Sequence, residues 1–268
     1  MRILVTCLLA TVAVWAQDPE LGRVEISSHE AVLTVDSPRP LDSVAKTLAQ
    51  RYGIVINSED PAYLYSGDMK DVTAETVRTM RPGLRVLVPK GGHLEVRFPV
   101  TPEGSPQDLR GLLQAVIDAA NAQFPFAYRL DLDGDAYTFI PTTTRDAQGR
   151  VIGLPALLDR KITIPFGTRR ILEHANLMTD ALSAQTGFRI SCCQAMFGGF
   201  PWGMDHVAFE ARDEPTRGVL LRLIRSVRGR YYYLERCDPV SPGRPTGCFI
   251  DVRGLPPELS PQSNRVLR

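Results

Sequence analysis

Cysteines are the residues of this sequence whose chemistry is easiest to interpret, and four of them lie late in the chain: Cys192, Cys193, Cys237 and Cys248. An even number of cysteines in an oxidising compartment indicates disulfides. Cys237 ends one predicted strand and Cys248 begins the next, so a hairpin would place their sulfurs opposite each other. We predict a Cys237–Cys248 disulfide, which leaves Cys192 and Cys193 as thiols or as a strained vicinal pair.

A serine and a lysine also match a catalytic motif. Ser43 and Lys46 have the spacing of the Ser-x-x-Lys motif of penicillin-binding enzymes, in which the lysine helps to activate the serine. No Ser-Asp-Asn or Lys-Thr-Gly element follows. We therefore expect both side chains on a solvated helix face.

Three acids around a glycine match the start of a calcium loop: Asp131, Asp133 and Asp135 flank Gly134. A calcium loop also needs a glycine at its sixth position and a glutamate at its twelfth, and neither is present. An Asp-Gly hairpin turn explains the same residues.

The histidines are scattered, and we expect them at the surface. His93 and His206 fall at equivalent predicted strand starts, so a metal site between two domains is the alternative for this pair. The sequence therefore predicts no catalytic residue, no cofactor site and no metal site. The four histidines are His29, His93, His174 and His206.

The N-terminus has the pattern of a secretory signal. A basic start precedes an apolar run, and Ala16 follows Val14 in a small-residue cleavage pattern. This predicts a signal peptide over residues 1–16 and a periplasmic or secreted bacterial protein. The run is shorter than the roughly 20 apolar residues of a membrane span, and no later stretch is longer. With 31 Lys and Arg against 30 Asp and Glu, the net charge of +1 does not indicate nucleic-acid binding.

Helix and strand patterns alternate after the signal. Apolar residues at helical spacing predict a helix from Pro40 that stops at Gly53, and strict alternation predicts a strand over residues 93–100. Ser105 is the predicted N-cap of a second helix, and residues 126–140 read as a hairpin. The predicted order is strand, helix, strand, strand, helix, strand, strand.

The same order returns in the second part of the chain, where Gly187 stands in the place of Gly53. The predicted fold class is α+β, with two tandem βαββαββ units that each have small mixed sheets and two helices. The predicted boundaries are 31–141 for the first unit with an insert at about 61–92, 142–158 for a linker, 159–253 for the second unit and 254–268 for a Pro-rich tail. The predicted core includes Leu48, Leu112, Leu113, Val116, Leu220, Leu223 and Ile224.

Residues 40–57 resemble the short N-terminal domain shared by secretins and TonB-dependent receptors. In that family a helix of the type Pro-Leu-x-x-x-Ala-x-x-Leu-Ala-x-x-x-Gly leads into a strand followed by Asn or Asp. Residues 182–190 are similar in a looser way. The matching residues of the first unit are Pro40, Leu41, Ala45, Leu48, Ala49, Gly53 and Asn57.

The resemblance implies a docking module without catalysis, although no secretin barrel or receptor barrel follows. The expected function is thus that of a free-standing periplasmic module that binds an envelope protein or peptide, by strand addition or through an aromatic loop. The alternative is a small-ligand protein or enzyme with a site between the two domains, near His93, His206 and the insert with Tyr63 and Tyr65. The loop residues expected to contact a partner are Met196, Phe197, Phe200 and Trp202.

Overall fold

The computed structural model describes residues 21–192, 205–238 and 247–255, and it has the predicted α+β fold. The helices are α1 (Pro40–Tyr52), α2 (Glu75–Met80), α3 (Leu109–Gln123), α4 (Ile171–Thr186) and α5 (Thr216–Arg225). The first eight strands are β1 (Arg23–Ser27), β2 (Glu30–Ser37), β3 (Ile56–Glu59), β4 (Met69–Asp71), β5 (Leu87–Pro89), β6 (Gly92–Pro99), β7 (Tyr128–Asp133) and β8 (Ala136–Pro141). The others are β9 (Thr143–Arg145), β10 (Val151–Gly153), β11 (Lys161–Arg170), β12 (Arg189–Cys192), β13 (His206–Pro215), β14 (Tyr231–Cys237) and β15 (Gly247–Gly254).

Strand pairing follows the same plan before and after residue 150. In the first half, defined as residues 21–141, β2 pairs with β6, and β3 runs parallel to β8, which pairs with β7. In the second half, defined as residues 159–255, β11 pairs with β13, and β12 runs parallel to β15, which pairs with β14. This match of connectivity agrees with a tandem repeat, which itself stays a prediction.

The two halves share one sheet, which the sequence did not indicate. Strand β14 lies parallel to β3, with Leu234 opposite Ser58 and Glu235 opposite Glu59. The result is a six-stranded sheet in the order β12-β15-β14-β3-β8-β7. All of β3 and all of β14 except Tyr231 and Arg236 are buried, so a buried polar side chain on these strands needs a partner inside the protein.

The predicted core is confirmed. Leu48, Leu113 and Leu220 have no exposed surface, and the other four predicted core residues are also buried. These side chains belong to one apolar cluster that includes residues of both halves. The helical and strand periodicities therefore placed the correct faces inward.

Helix ends are partly as predicted. Gly53 and Gly187 end α1 and α4 with φ angles of 65° and 70°, in the left-handed region that favours glycine. The predicted N-cap Ser105 is wrong, because the next residue pairs with Val100 and remains extended. Asp108 caps α3 instead, and its carboxylate accepts a hydrogen bond of 2.9 Å from the Gly111 amide.

Three segments outside the predicted strand and helix pattern contain regular structure. The lead-in before residue 30 contains β1, which pairs with β2. The segment predicted as a linker, 142–158, contains the β9–β10 hairpin, and the insert at 61–92 contains α2 and the β4–β5 pair. None of the helices in the described part of the chain is long and apolar enough to cross a membrane.

Candidate ligand-binding cavity

A cavity of about 300 Å³ opens beside α1 at the ends of β3 and α3. Its volume is at the lower end of the range of small-molecule sites, about 300 to 1,000 Å³. The wall combines charged and aromatic side chains, as ligand sites commonly do. The charged and aromatic residues that line it are Arg39, Asp42, Glu59, Asp60, Asp68, Lys90, Arg145, Tyr63, Phe124, Phe126 and Tyr128.

The ends of several elements position these residues. Because α1 begins at Pro40, Arg39 stays outside the helix and next to Asp60, which directly follows β3. Phe124 caps the C-terminus of α3. Gly91 has a φ of 52°, and a Cβ atom there would lie 2.1 Å from the Ser37 carbonyl oxygen, so only glycine allows this approach.

Arg39 and Asp60 form an ion pair at the floor of the cavity. The Arg39 Nε atom donates to Asp60 Oδ2 at 2.6 Å. The peptide groups of Cys237 hold both partners, since its amide donates to Asp60 Oδ2 at 3.1 Å and its carbonyl accepts from Arg39 Nη2 at 3.1 Å. Strand β14 of the second half therefore holds this ion pair in place from behind the cavity wall.

Glu59 is held by the second half in a similar way. Arg217 donates to both of its carboxylate oxygens, at 2.6 and 2.8 Å, and the Tyr233 hydroxyl donates at 2.7 Å. Arg217 also bonds Asp159. A buried carboxylate with this many donors is fully compensated, so we regard Glu59 as structural.

Asp42 is less well compensated. It lies in the first turn of α1, is almost fully buried, and accepts from Arg236 Nε at 2.7 Å through Oδ2. Its Oδ1 atom has no hydrogen-bond partner. Burial and the negative charge of Asp60 raise the pKa of Asp42 to about 6, although Arg236 and the nearby Ser58 hydroxyl act in the opposite direction.

Asp68 and Arg145 form a second incompletely paired group. Arg145 Nη1 donates to Asp68 Oδ1 at 3.1 Å, while Asp68 Oδ2 and Arg145 Nε have no partner. Burial raises the pKa of Asp68, and the positive charges of Arg145 and Lys90 oppose this rise. Lys90 is exposed at the rim, so its ammonium group can reach a ligand from the solvent side.

Aromatic rings form the apolar wall. Tyr63 and Phe126 pack edge to face with centroids 5.6 Å apart, and the Tyr63 hydroxyl donates to Asp60 Oδ1 at 3.4 Å. Burial and the charge of Asp60 keep the pKa of Tyr63 and of Tyr128 well above 10, so both hydroxyls remain protonated donors. This wall can pack against an apolar group of a ligand.

The predicted disulfide is confirmed, and it lies next to a buried acid. Cys237 and Cys248 are register partners on β14 and β15, with an S–S distance of 2.07 Å. Glu235 Oε1 lies 3.0 Å from Cys237 Sγ, and burial with neighbouring negative charges raises the pKa of Glu235 well above 4.5. Since a disulfide sulfur carries no proton, the protonated carboxyl is the donor in this contact. Within the described ranges, Glu235, Cys237 and Cys248 form the only cluster of possible metal ligands. Both sulfurs are bonded to each other in the disulfide, so neither is a free thiolate that could bind a metal.

Several other predictions about reactive residues are wrong. Ser43 and Lys46 do not lie on a solvated face, because both are almost fully buried in α1. His174 is also buried, not at the surface, and its Nε2 atom lies 3.2 Å from the Val207 carbonyl oxygen. The other histidines, His29, His93 and His206, are exposed as expected.

The predicted hairpin is confirmed, but its turn residues are Gly134 and Asp135, one position later than the predicted Asp133 and Gly134, because Asp133 pairs with Ala136. Asp133 accepts a hydrogen bond of 3.1 Å from Arg225 Nη1. Cys192 is buried on β12, whereas Cys193 lies outside the described residues. The loop residues Met196, Phe197, Phe200 and Trp202, expected to contact a partner, also lie outside the described residues.

The sequence did not reveal the cavity. Tyr63 lines it, as expected for a site in the insert, but His93 and His206 do not. A second cavity of about 340 Å³ lies between the halves, and none of the residues that line it has an unpartnered buried side-chain atom. The first cavity has no local signal in the sequence, because its lining comes from separate segments such as 38–42, 58–60 and 123–126.

The comparisons with known proteins do not assign the chain to a family. The sequence matches no protein-family model, and searches of the curated proteins and of the solved structures find no match to the chain. The resemblance to the short N-terminal domains of secretins and TonB-dependent receptors therefore rests on the residue pattern alone.

Proposed function

We propose that the protein is an exported, non-catalytic binding protein that holds a small ligand in the cavity beside α1. The observation that carries this proposal is a cavity of about 300 Å³ whose wall combines charged side chains with the rings of Phe124, Phe126 and Tyr128. A few polar groups beside an apolar wall can fix the orientation of a small ligand, and the exposed Lys90 offers one of them at the rim. This favours the ligand-binding alternative over docking as the main function.

Export is part of the same proposal. The N-terminal residues 1–16 have the pattern of a signal peptide, and the Cys237–Cys248 disulfide would persist in an oxidising compartment. The proposed relation to secretin and TonB-dependent receptor domains is supported by residues 40–57 and by the matching connectivity of the two halves.

A fragment screen by NMR tests ligand binding on the mature chain, residues 17–268. We expect compounds that shift the resonances of Tyr63, Phe126 and Tyr128. Gln123 is exposed and lines the cavity, so Gln123→Trp should obstruct it and weaken binding by about tenfold or more.

Gln114→Trp is the matched control, because Gln114 is exposed on the same helix and does not line the cavity. It should leave affinity within about twofold of the unmodified protein. Binding that is equally weakened by both variants, or a screen in which no compound shifts the three aromatic residues, would overturn the proposal.

A specific observation also favours docking as a second function. Strand β11 pairs only with β13 in the described part of the chain, and Phe166 on β11 is 67 % exposed. An extended peptide with an apolar side chain opposite Phe166 fits such an open edge. Phe166→Glu should then abolish binding of an extended apolar peptide, while Leu132→Glu, on the edge strand β7, should not.

A further inference from the structure

The charged residues that line the cavity beside α1 differ in how much of their surface is accessible. Its four acids are almost completely buried, so they present almost no negatively charged surface to a ligand. The exposed fractions of their side chains are 0 % for Glu59, 2 % for Asp42, 5 % for Asp68 and 6 % for Asp60. The cations are more accessible, since the side chains of Arg39 and Arg145 are 18 % and 29 % exposed and Lys90 is exposed at the rim. The accessible charge on this wall is therefore positive.

Each acid of the wall also has an arginine partner, which leaves one positive charge without a counter-ion. The four ion pairs are Asp42 with Arg236, Glu59 with Arg217, Asp60 with Arg39 and Asp68 with Arg145. Lys90 forms no ion pair with any residue that the structure describes. The exposed acid Asp238 lies 3.9 Å from Arg39 but does not line the cavity. The uncompensated charge of the wall is thus the ammonium group of Lys90.

The backbone holds Lys90 at the cavity. Lys90 directly follows β5, and its amide donates to the Asp68 carbonyl oxygen at 2.8 Å. The next residue, Gly91, packs closely against the Ser37 carbonyl group just before α1. These two contacts keep the flexible lysine side chain within reach of a ligand in the cavity.

Part of the apolar wall is accessible as well. Phe124, Pro125 and Tyr128 line the cavity and are only half-buried, so an apolar group can pack on them. We propose that the cavity binds a small carboxylate with an apolar body, whose charged group lies at Lys90 and whose body packs on this wall. A single uncompensated charge matches a singly charged ligand better than a phosphate ester, which carries about 1.5 to 2 negative charges near pH 7. This inference rests on the proposed function, because it assigns a ligand class to the same cavity.

Three probes of similar shape separate the charges: 3-phenylpropionate, its neutral amide 3-phenylpropanamide, and the cation 3-phenylpropylamine. Calorimetric titration of the mature chain at pH 7.5 and low ionic strength should give 3-phenylpropionate an affinity about fivefold or more above that of either analogue. Salt at about 0.5 M should reduce this preference, because Lys90 is exposed and its charge is screened. An analogue that binds as tightly as 3-phenylpropionate overturns the carboxylate assignment.

Variants of Lys90 then assign the charge to this residue. Lys90→Gln should remove the preference for 3-phenylpropionate over its amide, and Lys90→Arg should keep it, because the guanidinium group is also positive. Lys70→Gln is the matched control, since Lys70 is exposed on β4, which pairs with β5, and does not line the cavity. A preference that survives in Lys90→Gln, or that is lost equally in Lys70→Gln, contradicts the assignment.

The outcomes for the two proposals are distinguishable. If none of the three probes binds but other fragments shift Tyr63 and Tyr128, the carboxylate inference is wrong and the cavity proposal holds. If no compound of any charge binds there, the proposed function itself is wrong. Both lysines are exposed, so we expect the variants to fold, and circular dichroism checks this. Should one fail to fold, the three probes on the unmodified protein still decide the ligand class.

Discussion

Helices α1 and α4 occupy equivalent places in the two halves but have different surroundings. Residues 40–49 of α1 are all buried, whereas α4 buries six of its residues along one side. Each helix has an acid in its first turn. Asp42 of α1 pairs with Arg236 inside the protein, and Glu173 of α4 pairs with Arg170 at the surface.

Asp42 and Glu173 show how burial changes the pKa of an acid in the first turn of a helix. Burial and Asp60 raise the pKa of Asp42, while the hydrogen bond from Arg170 lowers the pKa of Glu173. The position in the helix is the same, so the difference comes from the surroundings of Asp42, which is buried and lies near Asp60 at the end of β3. A packing pattern shared by two helices therefore does not imply a shared function.

The largest expected effect comes from breaking a buried ion pair at the junction of the halves. Arg217→Met would leave Glu59 buried without its bidentate partner, and we expect the free energy of unfolding to fall by about 3 to 5 kcal/mol. Arg170→Met, which removes an exposed pair of α4, should lower the free energy of unfolding much less, because solvent screens an exposed ion pair. Urea denaturation measures both values, and equal losses would contradict the contrast between interior and surface.

A pH titration sharpens the comparison of the two acids. The pKa of Asp42 is about 6 in the folded state against an ordinary value of 3.8, so its contribution to stability is present at low pH and is lost as the pH rises from about 4 to about 6. Asp42→Asn should remove this decrease in stability with rising pH.

Glu173 is the control, because its pKa is shifted in the opposite direction to that of Asp42. The pKa of Glu173 is lowered in the folded state, so its contribution is lost as the pH falls, and Glu173→Gln should remove that loss. Denaturation at pH 4, 5, 6 and 7 compares the variants. If the free energy of unfolding changes with pH equally in Asp42→Asn and in the unmodified protein, Asp42 is not buried as described.

The disulfide holds the end of β14, the strand whose residues bond Arg39 and Asp42 at the start of α1. Replacing Cys237 and Cys248 together by serine opens a loop with a sequence separation of 11, which should lower stability by about 2 to 3 kcal/mol in the chain-entropy model. Because the Cys237 peptide groups bond Arg39 and Asp60, amide exchange should increase more at the start of α1 than in α4. An equal increase in both helices would indicate a global effect only.

The smallest effects are expected at the helix ends. Gly53 and Gly187 have positive φ angles, and an alanine in the left-handed region costs about 1 to 2 kcal/mol. Gly53→Ala and Gly187→Ala should therefore lower the melting temperature by similar amounts. A clear difference between them would mean that the two C-termini are not equivalent, for example because the Gly53 carbonyl accepts from Arg230 at 2.8 Å.

Local features of this fold could be predicted from the sequence because they depend on neighbouring residues. Leu113 and Leu220 follow helical periodicity, Gly53 and Gly187 follow the rules of helix ends, and the Cys237–Cys248 pair follows from a short hairpin. Each of these signals is complete within about 15 residues of chain.

The candidate site depends on long-range pairing, which the sequence pattern does not contain. Ser43 was expected in solvent, since nothing nearby in sequence shows that β14 would pair with β3, the strand against which α1 lies. The cap of α3 was misplaced for a local reason, because Pro106 pairs with Val100 and delays the helix.

The position of β14 in the shared sheet has a consequence for the order of folding. The Tyr233 amide donates to Asn57 Oδ1 across 176 residues of sequence, so the edge of β3 cannot be completed until almost the whole chain is present. Long-range pairing of this kind forms slowly, and an unpaired strand edge promotes aggregation. A fragment that ends at residue 160 should therefore aggregate, which light scattering would detect. If the chain is exported with its N-terminus first, the edge of β3 must be protected from aggregation until β14 has also crossed the membrane.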